Sequence, residues 1–273
     1  MLIVGFSQIN QLLGSEPRIA IVIPARMASQ RLPGKALLDI LGLPMVEHVR
    51  RRALMNKYDI PVFVASGDKS IIDAITNFQG ICLESKEEHT NGLSRTYEVS
   101  KNLDFTHYII LQGDEVLVTP GQIENLIESI QSKPTGDFWN LTTALVKVSE
   151  IEEPSIVKCM LDLNGFIMSI FRKSPLTSNY ENQMKILKKI CGLFAVSSLA
   201  MKAICESAST PIEISESIEQ MKYLELGGDI QSVDTASNFT SINLPSDVEK
   251  VLKVIESSDE QKRLMTRVLS YAH

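Results

Sequence analysis

IVIPARMASQRLPGK, residues 21–35, decides how this chain reads: an apolar run empties into a loop that carries Arg26, Arg31 and Lys35 within ten positions. Arg18 to Ile23 has the unbroken hydrophobicity of a strand covered on both faces. In an open α/β sheet, ligands collect beyond the carboxyl ends of the strands, which is where this loop falls. Arg26 and Arg31 each offer a planar fork to phosphate oxygens, and Lys35 adds a mobile point charge, so the loop suits a polyphosphate. It is not a Walker loop, because Ala36 follows Gly34-Lys35 where a metal-ligating hydroxyl belongs, and Ser29 replaces the first glycine.

Outward from this loop, apolar strands alternate with amphipathic helices. A helix is expected over Leu43 to Lys57, a strand over Pro61 to Ser66, a helix over Lys69 to Phe78, a strand over Ile81 to Glu84, and a helix over Leu93 to Asn102. His107 to Leu111 is the next strand, and the order βαβαβαβ predicts a parallel sheet with helices on both faces. The middle third changes character. Trp139 to Val148, Ile156 to Leu161 and Gly165 to Phe171 follow closely, as in an antiparallel insertion over about residues 139–190. Ser174 to Met184 reads as a polar loop, Lys189 to Val196 as a strand, and Ser198 to Ser207 and Pro211 to Leu226 as helices. Short strands near Ile230 to Asp234 and Phe239 to Asn243 precede a closing helical pair, Ser246 to Glu256 and Asp259 to Tyr271.

The chain has 273 residues, 44% of them apolar and 22% charged, which suits a globular protein with one domain over 18–273 and an N-terminal extension over 1–17. The formal charge of −6 and the lack of a long Lys/Arg block argue against nucleic-acid binding. Arg50-Arg51-Arg52 lies inside a helical pattern and reads as a solvated face. Four cysteines without a CxxC pair indicate neither zinc nor a disulfide framework. The start, MLIVGFSQINQLLG, lacks a basic region and is too short in its apolar run to insert into a membrane, so a cytoplasmic location is expected.

Three further groups carry chemistry. Asp114 directly follows an apolar strand behind Gly113 and is the best candidate for a metal ligand, since Thr119-Pro120 already supplies the start of the next helix. His89, Gly92 and Arg95 lie where a loop enters a helix, and such a helix start can bind a base edge or a phosphate. Glu213, Glu216, Glu219 and Gln220 are expected along one face of the helix from Pro211, with Lys222 and Arg172-Lys173 as cationic partners or as anchors for an anionic substrate.

Taken together, IVIPARMASQRLPGKALLDILGLPMVEHV, LQGDE, TPIEISESIEQMKYLELG and INLPSDVEKV resemble, in order and spacing, the 3-deoxy-manno-octulosonate (KDO) cytidylyltransferases of lipopolysaccharide assembly, over about residues 18 to 257. The resemblance implies a glycosyltransferase-A-like, Rossmann-like nucleotide-diphospho-sugar transferase, a three-layer α/β sandwich with a mixed sheet and an antiparallel insertion. It also implies a homodimer that joins CTP to an acidic keto-deoxy sugar, with Mg2+, and releases pyrophosphate. Residue by residue, it places Arg26, Arg31 and Lys35 on the phosphates and Asp114 on the metal. Pro24, Ala25, His89, Gly92, Arg95 and Gln112 fall around the nucleotide, and Arg172, Glu213, Glu219 and Gln220 on the sugar side. Two departures stand out. Asn243 occupies the place of a metal-binding aspartate, with Asp234 and Asp247 as nearby alternatives, and Ile190 the place of a histidine ahead of Gly192. An amide holds magnesium more weakly than a carboxylate. The alternative reading is therefore a catalytically impaired nucleotide- or sugar-binding homologue, or a nucleotidyltransferase for a different sugar acid.

Overall fold

The computed structural model describes residues 16–29, 31–236 and 241–271. Along the chain run strands β1 (Ile19–Pro24), β2 (Asp39–Ile40) and β3 (Leu43–Pro44), helix α1 (Met45–Leu54), β4 (Val62–Ser66), α2 (Lys69–Asn77), β5 (Ile81–Glu84), α3 (Gly92–Ser100), β6 (His107–Leu111) and α4 (Pro120–Ser132). They are followed by β7 (Phe138–Ala144), α5 (Ser149–Glu152), β8 (Lys158–Leu161), β9 (Ile167–Phe171), α6 (Tyr180–Ile186), β10 (Leu187–Ser197), α7 (Ser198–Glu206), α8 (Pro211–Glu216), α9 (Glu219–Glu225), β11 (Gln231–Asp234), α10 (Pro245–Ser257) and α11 (Asp259–Leu269). The described residues form two compact units. The first lies within Ile19–Asp104, Tyr108–Glu124 and Phe239–His273, the second within Met1–Arg18, Phe105–His107 and Asn125–Asn238. The expected extension over 1–17 lies outside the described residues except for its last two positions.

In the first unit the strand order is β6-β1-β4-β5, with β4 parallel to both β1 and β5. All six residues of β1 are buried, which is why its sequence shows a continuous apolar run instead of alternation. Beside the sheet, Ile40, Met45, Val116, Leu117, Ile242, Val251, Ile255 and Met265 pack as one cluster. The helix expected from Leu43 starts at Met45, because Leu41 (φ 52°) and Gly42 (φ 91°) turn the chain into the β2-β3 hairpin first.

The arginine triplet of α1 is not a solvated face. Arg50, Arg51 and Arg52 are 3%, 6% and 0% exposed, around a fully buried Glu47. That carboxylate pairs with Arg50 Nε at 2.7 Å and Arg51 Nε at 2.6 Å, and Arg51 also donates to the Val268 carbonyl. Arg52 donates to the Val118 carbonyl, and burial pulls its pKa down to about 10. Arg50 and Arg51 stay in the interior because Glu47 pairs with both, whereas Arg52 keeps a carbonyl bond while its Nε and Nη2 are buried without a partner among the described residues, contexts that helical periodicity cannot reveal.

The second unit has the order β11-β7-β10, with β8 on β10 and β9 on β8, and both of those added pairings are antiparallel, as expected of the insertion. Its satellite core is Leu145, Ile151, Phe171 and Leu187. Residues 174–184 are not wholly loop. Asn179 accepts from Asn182 N and caps α6, a helix of seven residues that is too short for its periodicity to register. The helix expected over Pro211 to Leu226 is broken in two at Ser217, which sits in the left-handed region (φ 53°). Glu213 and Glu216 therefore do not share one continuous face with Glu219 and Gln220. Residues 239–240 of the expected strand Phe239 to Asn243 lie outside the described residues, and 241–243 are irregular.

All four cysteines are free thiols. Burial pushes Cys82 up to about 11 and Cys159 to about 12, so both are protonated packing residues. Among the described residues, no helix is long and apolar enough to cross a membrane.

Candidate active site

The carboxyl ends of β1 and β6 meet the amino end of α3. Pro24 closes β1, and Gly92 opens α3 so tightly against it that an added Cβ would lie 2.8 Å from Pro24 Cγ and 3.0 Å from Gln112 Nε2. A Cβ on Gly113 would lie 3.2 Å from the Pro24 carbonyl oxygen. Gly92 thus lets α3 approach the Pro24 and Gln112 side chains and Gly113 runs close to the Pro24 backbone, gathering Pro24, Ala25, Gln112 and Asp114 at one end of the sheet. Asn91 caps α3 by accepting from Ser94 N at 2.9 Å.

The cationic loop is pinned rather than loose. Gly34 adopts φ 74° and donates to the Met27 carbonyl at 2.9 Å, while Met27 N donates to Asp68 Oδ2 at 2.8 Å. Lys35 Nζ then reaches Asp114 Oδ2 at 2.6 Å and the Ile242 carbonyl at 3.3 Å. Arg31 Nη2 donates to Asn243 Oδ1 at 3.0 Å, and Arg26 Nη1 to the His89 carbonyl at 3.3 Å. Arg26 and Arg31 are exposed, and Lys35 and Asp114 are 20% and 17% exposed, so solvent and ligands reach all of them. Asp114 is not a helix cap. Thr119 and Gln122 satisfy each other at the start of α4, through Thr119 N to Gln122 Oε1 at 3.0 Å and Gln122 N to Thr119 Oγ1 at 3.4 Å.

Asn243 belongs beside Asp114, because Ile242 N donates to the Asp114 carbonyl at 3.1 Å. The two alternatives are engaged elsewhere. Asp234 lies in the second unit and pairs with Lys188 at 2.7 Å. Asp247 accepts from Asn243 N, Leu244 N and Lys250 Nζ, which together hold its carboxyl below the usual range against the opposing effect of burial. It caps α10. Arg95, 7% exposed, donates to the Ser85 hydroxyl, and burial draws its guanidinium below its ordinary range, so it fastens α3 to the segment after β5. Sequence reasoning missed Glu98, whose carboxylate meets His89 Nε2 at 2.6 Å and the Lys86 amide at 2.9 Å. Its one signal is position, since it lies three residues beyond Arg95 on α3.

In the second unit the expected sugar-side residues carry structural bonds. Arg172 donates to the carbonyls of Glu216 (2.7 Å), Pro154 (3.0 Å) and Ser217 (3.2 Å), terminating α8 and holding the turn. Glu213 accepts from Thr210 N at 3.2 Å in a capping box. Lys222 donates to the Ser207 carbonyl at 2.9 Å. Gln220 Nε2 donates to Asn140 Oδ1 at 3.1 Å, and Asn140 Nδ2 in turn donates to the carbonyls of Leu141 and Cys191. The register of β10 against β7 shifts between Ile190 and Phe194, around Gly192. This is the stretch in which the sequence departs from the family pattern.

A sequence profile of the cytidylyltransferases matches residues 20–232. The chain belongs to this family. It is 30% identical to the 3-deoxy-manno-octulosonate cytidylyltransferase of Geobacter sulfurreducens over 87% of this chain and 99% of that one, and 31% identical to the Escherichia coli protein of that name over 86% and 94%. Among solved structures, CMP:2-keto-3-deoxy-manno-octonic acid synthetase complexed with CTP matches with a TM-score of 0.82 at 31% identity, over 88% of this chain and 98% of that one. The inositol-1-phosphate CTP transferase from T. maritima (TM-score 0.63, 15% identity, 96% of this chain and all of that one) shares the fold alone. The chain is thus a nucleotidyltransferase with a mixed α/β fold.

Asp114 and Asn243 suit one hard cation. Both present oxygen donors, and Asp114 Oδ2 already faces a positive charge, the Lys35 ammonium. Among the described residues, no group of three His, Cys, Asp or Glu could hold a metal. A hard cation held by these two oxygens would have to complete its shell with water or ligand oxygens.

Proposed function

We propose that this cytidylyltransferase transfers CMP from CTP to 3-deoxy-manno-octulosonate, or a closely related acidic keto-deoxy sugar, with release of pyrophosphate. The observation that supports it most is the Lys35–Asp114 pair flanked by Arg31, a solvent-accessible arrangement of opposite charges at the carboxyl end of a parallel sheet. The sugar's anomeric hydroxyl oxygen attacks the α-phosphorus of CTP, the bond from that phosphorus to the bridging oxygen breaks, and pyrophosphate leaves with that oxygen while the hydroxyl proton passes to solvent. Arg26, Arg31 and Lys35 hold the phosphates and stabilise the charge that builds on the leaving group. Lys35 leaves Asp114 for a phosphate oxygen, freeing the carboxylate. Magnesium, when held by Asp114 with help from the Asn243 amide oxygen, neutralises phosphate charge and fixes their alignment.

The test is pyrophosphate release from CTP with a panel of keto-deoxy sugar acids. Release with at least one acid sugar supports the reading, and none with any, from folded protein, overturns it. A second reading, binding without turnover, rests on the neutral Asn243 facing Arg31. Calorimetric CTP binding without product, cured by Asn243→Asp, would favour it. We also propose a homodimer, supported by exposed apolar side chains in the insertion (Val146 62%, Met168 66%, Leu163 fully exposed), to be checked by sedimentation. Dependence on CTP favours the cytoplasm as its location.

A further inference from the structure

Glu98 meets His89, one of the residues expected around the nucleotide, and it organises the segment that leads to Arg26. Its Oε1 accepts from Lys86 N at 2.9 Å, and its Oε2 accepts from Glu87 N at 3.4 Å and meets His89 Nε2 at 2.6 Å. One carboxylate on α3 thus holds three of the four residues from Lys86 to His89. Arg95, one turn earlier on the same helix, holds Ser85, the residue before them. The His89 carbonyl at the end of this segment accepts from Arg26 Nη1 at 3.3 Å. Arg26 itself is exposed, and His89 is the acceptor that directs its guanidinium.

We propose that Glu98 is a positioning residue for the nucleotide: it sets the Lys86–His89 segment, and through the His89 carbonyl it aims Arg26. This rests on the assignment of Arg26 to the nucleotide phosphates. A purely structural role would read differently, because Lys86 and Glu87 are exposed and water can replace the carboxylate at their amides with little loss of stability. What water cannot replace is the fixed direction of the segment, and misplacing a charged contact by an ångström costs binding and alignment. The Glu98 carboxyl is kept below its ordinary range by the His89, Lys86 and Glu87 bonds, which outweigh the opposing effect of burial, so it accepts as an anion from all three.

The experiment compares the unaltered protein with Glu98→Ala and Glu98→Gln in steady-state kinetics, CTP calorimetry and thermal melting. Glu98→Ala is expected to raise the KM and Kd for CTP roughly tenfold or more and to lower kcat, while the KM for the acid sugar stays within about threefold. Glu98→Gln, whose amide oxygen still accepts from one backbone amide, should fall between. Unchanged CTP affinity in Glu98→Ala overturns the proposal. So does an equal loss for both substrates accompanied by a collapse in melting temperature, and if Glu98→Ala does not fold, the same criteria apply to Glu98→Gln. If the unaltered protein binds CTP but releases no pyrophosphate, the catalytic reading fails by itself, and calorimetric affinity still decides the role of Glu98.

Discussion

Lys35 and Arg31 of the first unit and Arg172, Lys222 and Lys158 of the second are employed in opposite ways. In the first unit, Lys35 pairs with Asp114 and Arg31 with Asn243, side chain to side chain and within reach of solvent. In the second, Arg172, Lys222 and Lys158 spend their hydrogens on backbone carbonyls: Arg172 on three, Lys222 on one and Lys158 on those of Glu153, Ile156 and Arg172. A side-chain pair at a surface is weakly held and can be exchanged for a ligand's charges, whereas a bond to a carbonyl fixes the fold and is costly to leave unmade. Equal formal charge thus has different chemical availability.

The largest expected effect concerns Asp114. Asp114→Ala should lower kcat/KM by roughly 10²–10³ if the proposed cation is held there, with the fold intact by circular dichroism. An activity loss of less than about threefold would break the contrast between the units. Next, Arg31→Ala and Arg172→Ala should part company. The former should weaken CTP binding about tenfold or more with little change in melting temperature, and the latter should lower the melting temperature by roughly 2–4 °C with CTP affinity retained. If both act on CTP alike, the distinction drawn from their partners is wrong. Lys35→Met removes the ammonium from Asp114, so manganese, used as a paramagnetic probe without nucleotide, should bind the variant more tightly than the unaltered protein. Equal or weaker binding would show that Lys35 does not compete for that carboxylate.

The smallest effect is on pH dependence and compares one buried histidine from each unit. Burial lowers the His107 pKa from 6.5 to about 4 and also lowers that of His48. Between about pH 6.5 and pH 4 the unfolded chain takes up a proton at His107 that the folded protein refuses, so stability is lost as pH falls through this window. Urea unfolding of His107→Gln should show a flatter slope there. A slope unchanged from that of the unaltered protein would remove His107 as the cause.

Much of the first unit was legible from its sequence. A strand buried on both faces leaves an apolar run, and three cations in the loop after it leave a composition that few surfaces share, so β1, the loop and Asp114 could be read directly. Glu98 escaped because a glutamate in the last turns of a helix looks like any solvated residue until the loop it caps is folded beside it. The burial of Arg50, Arg51 and Arg52 escaped for the same reason, since their partners are Glu47 and carbonyls up to 217 residues away. The second unit was legible as an antiparallel insertion but not in its details. Serine has no strong preference for the left-handed region, so nothing local marks the break at Ser217, and the glutamates expected on one helical face were separated by it.

By itself the sequence determined the alternation of strands and helices and the chemistry of the loop after β1, because hydrophobic period and charge are properties of neighbouring residues. Only the tertiary structure decided which charges remain available. Whether an arginine meets a carboxylate in solvent, as Arg31 meets an amide, or a carbonyl, as Arg172 does, depends on segments brought together from distant parts of the chain, and the free energy of a charged group is set by those neighbours and by its access to water.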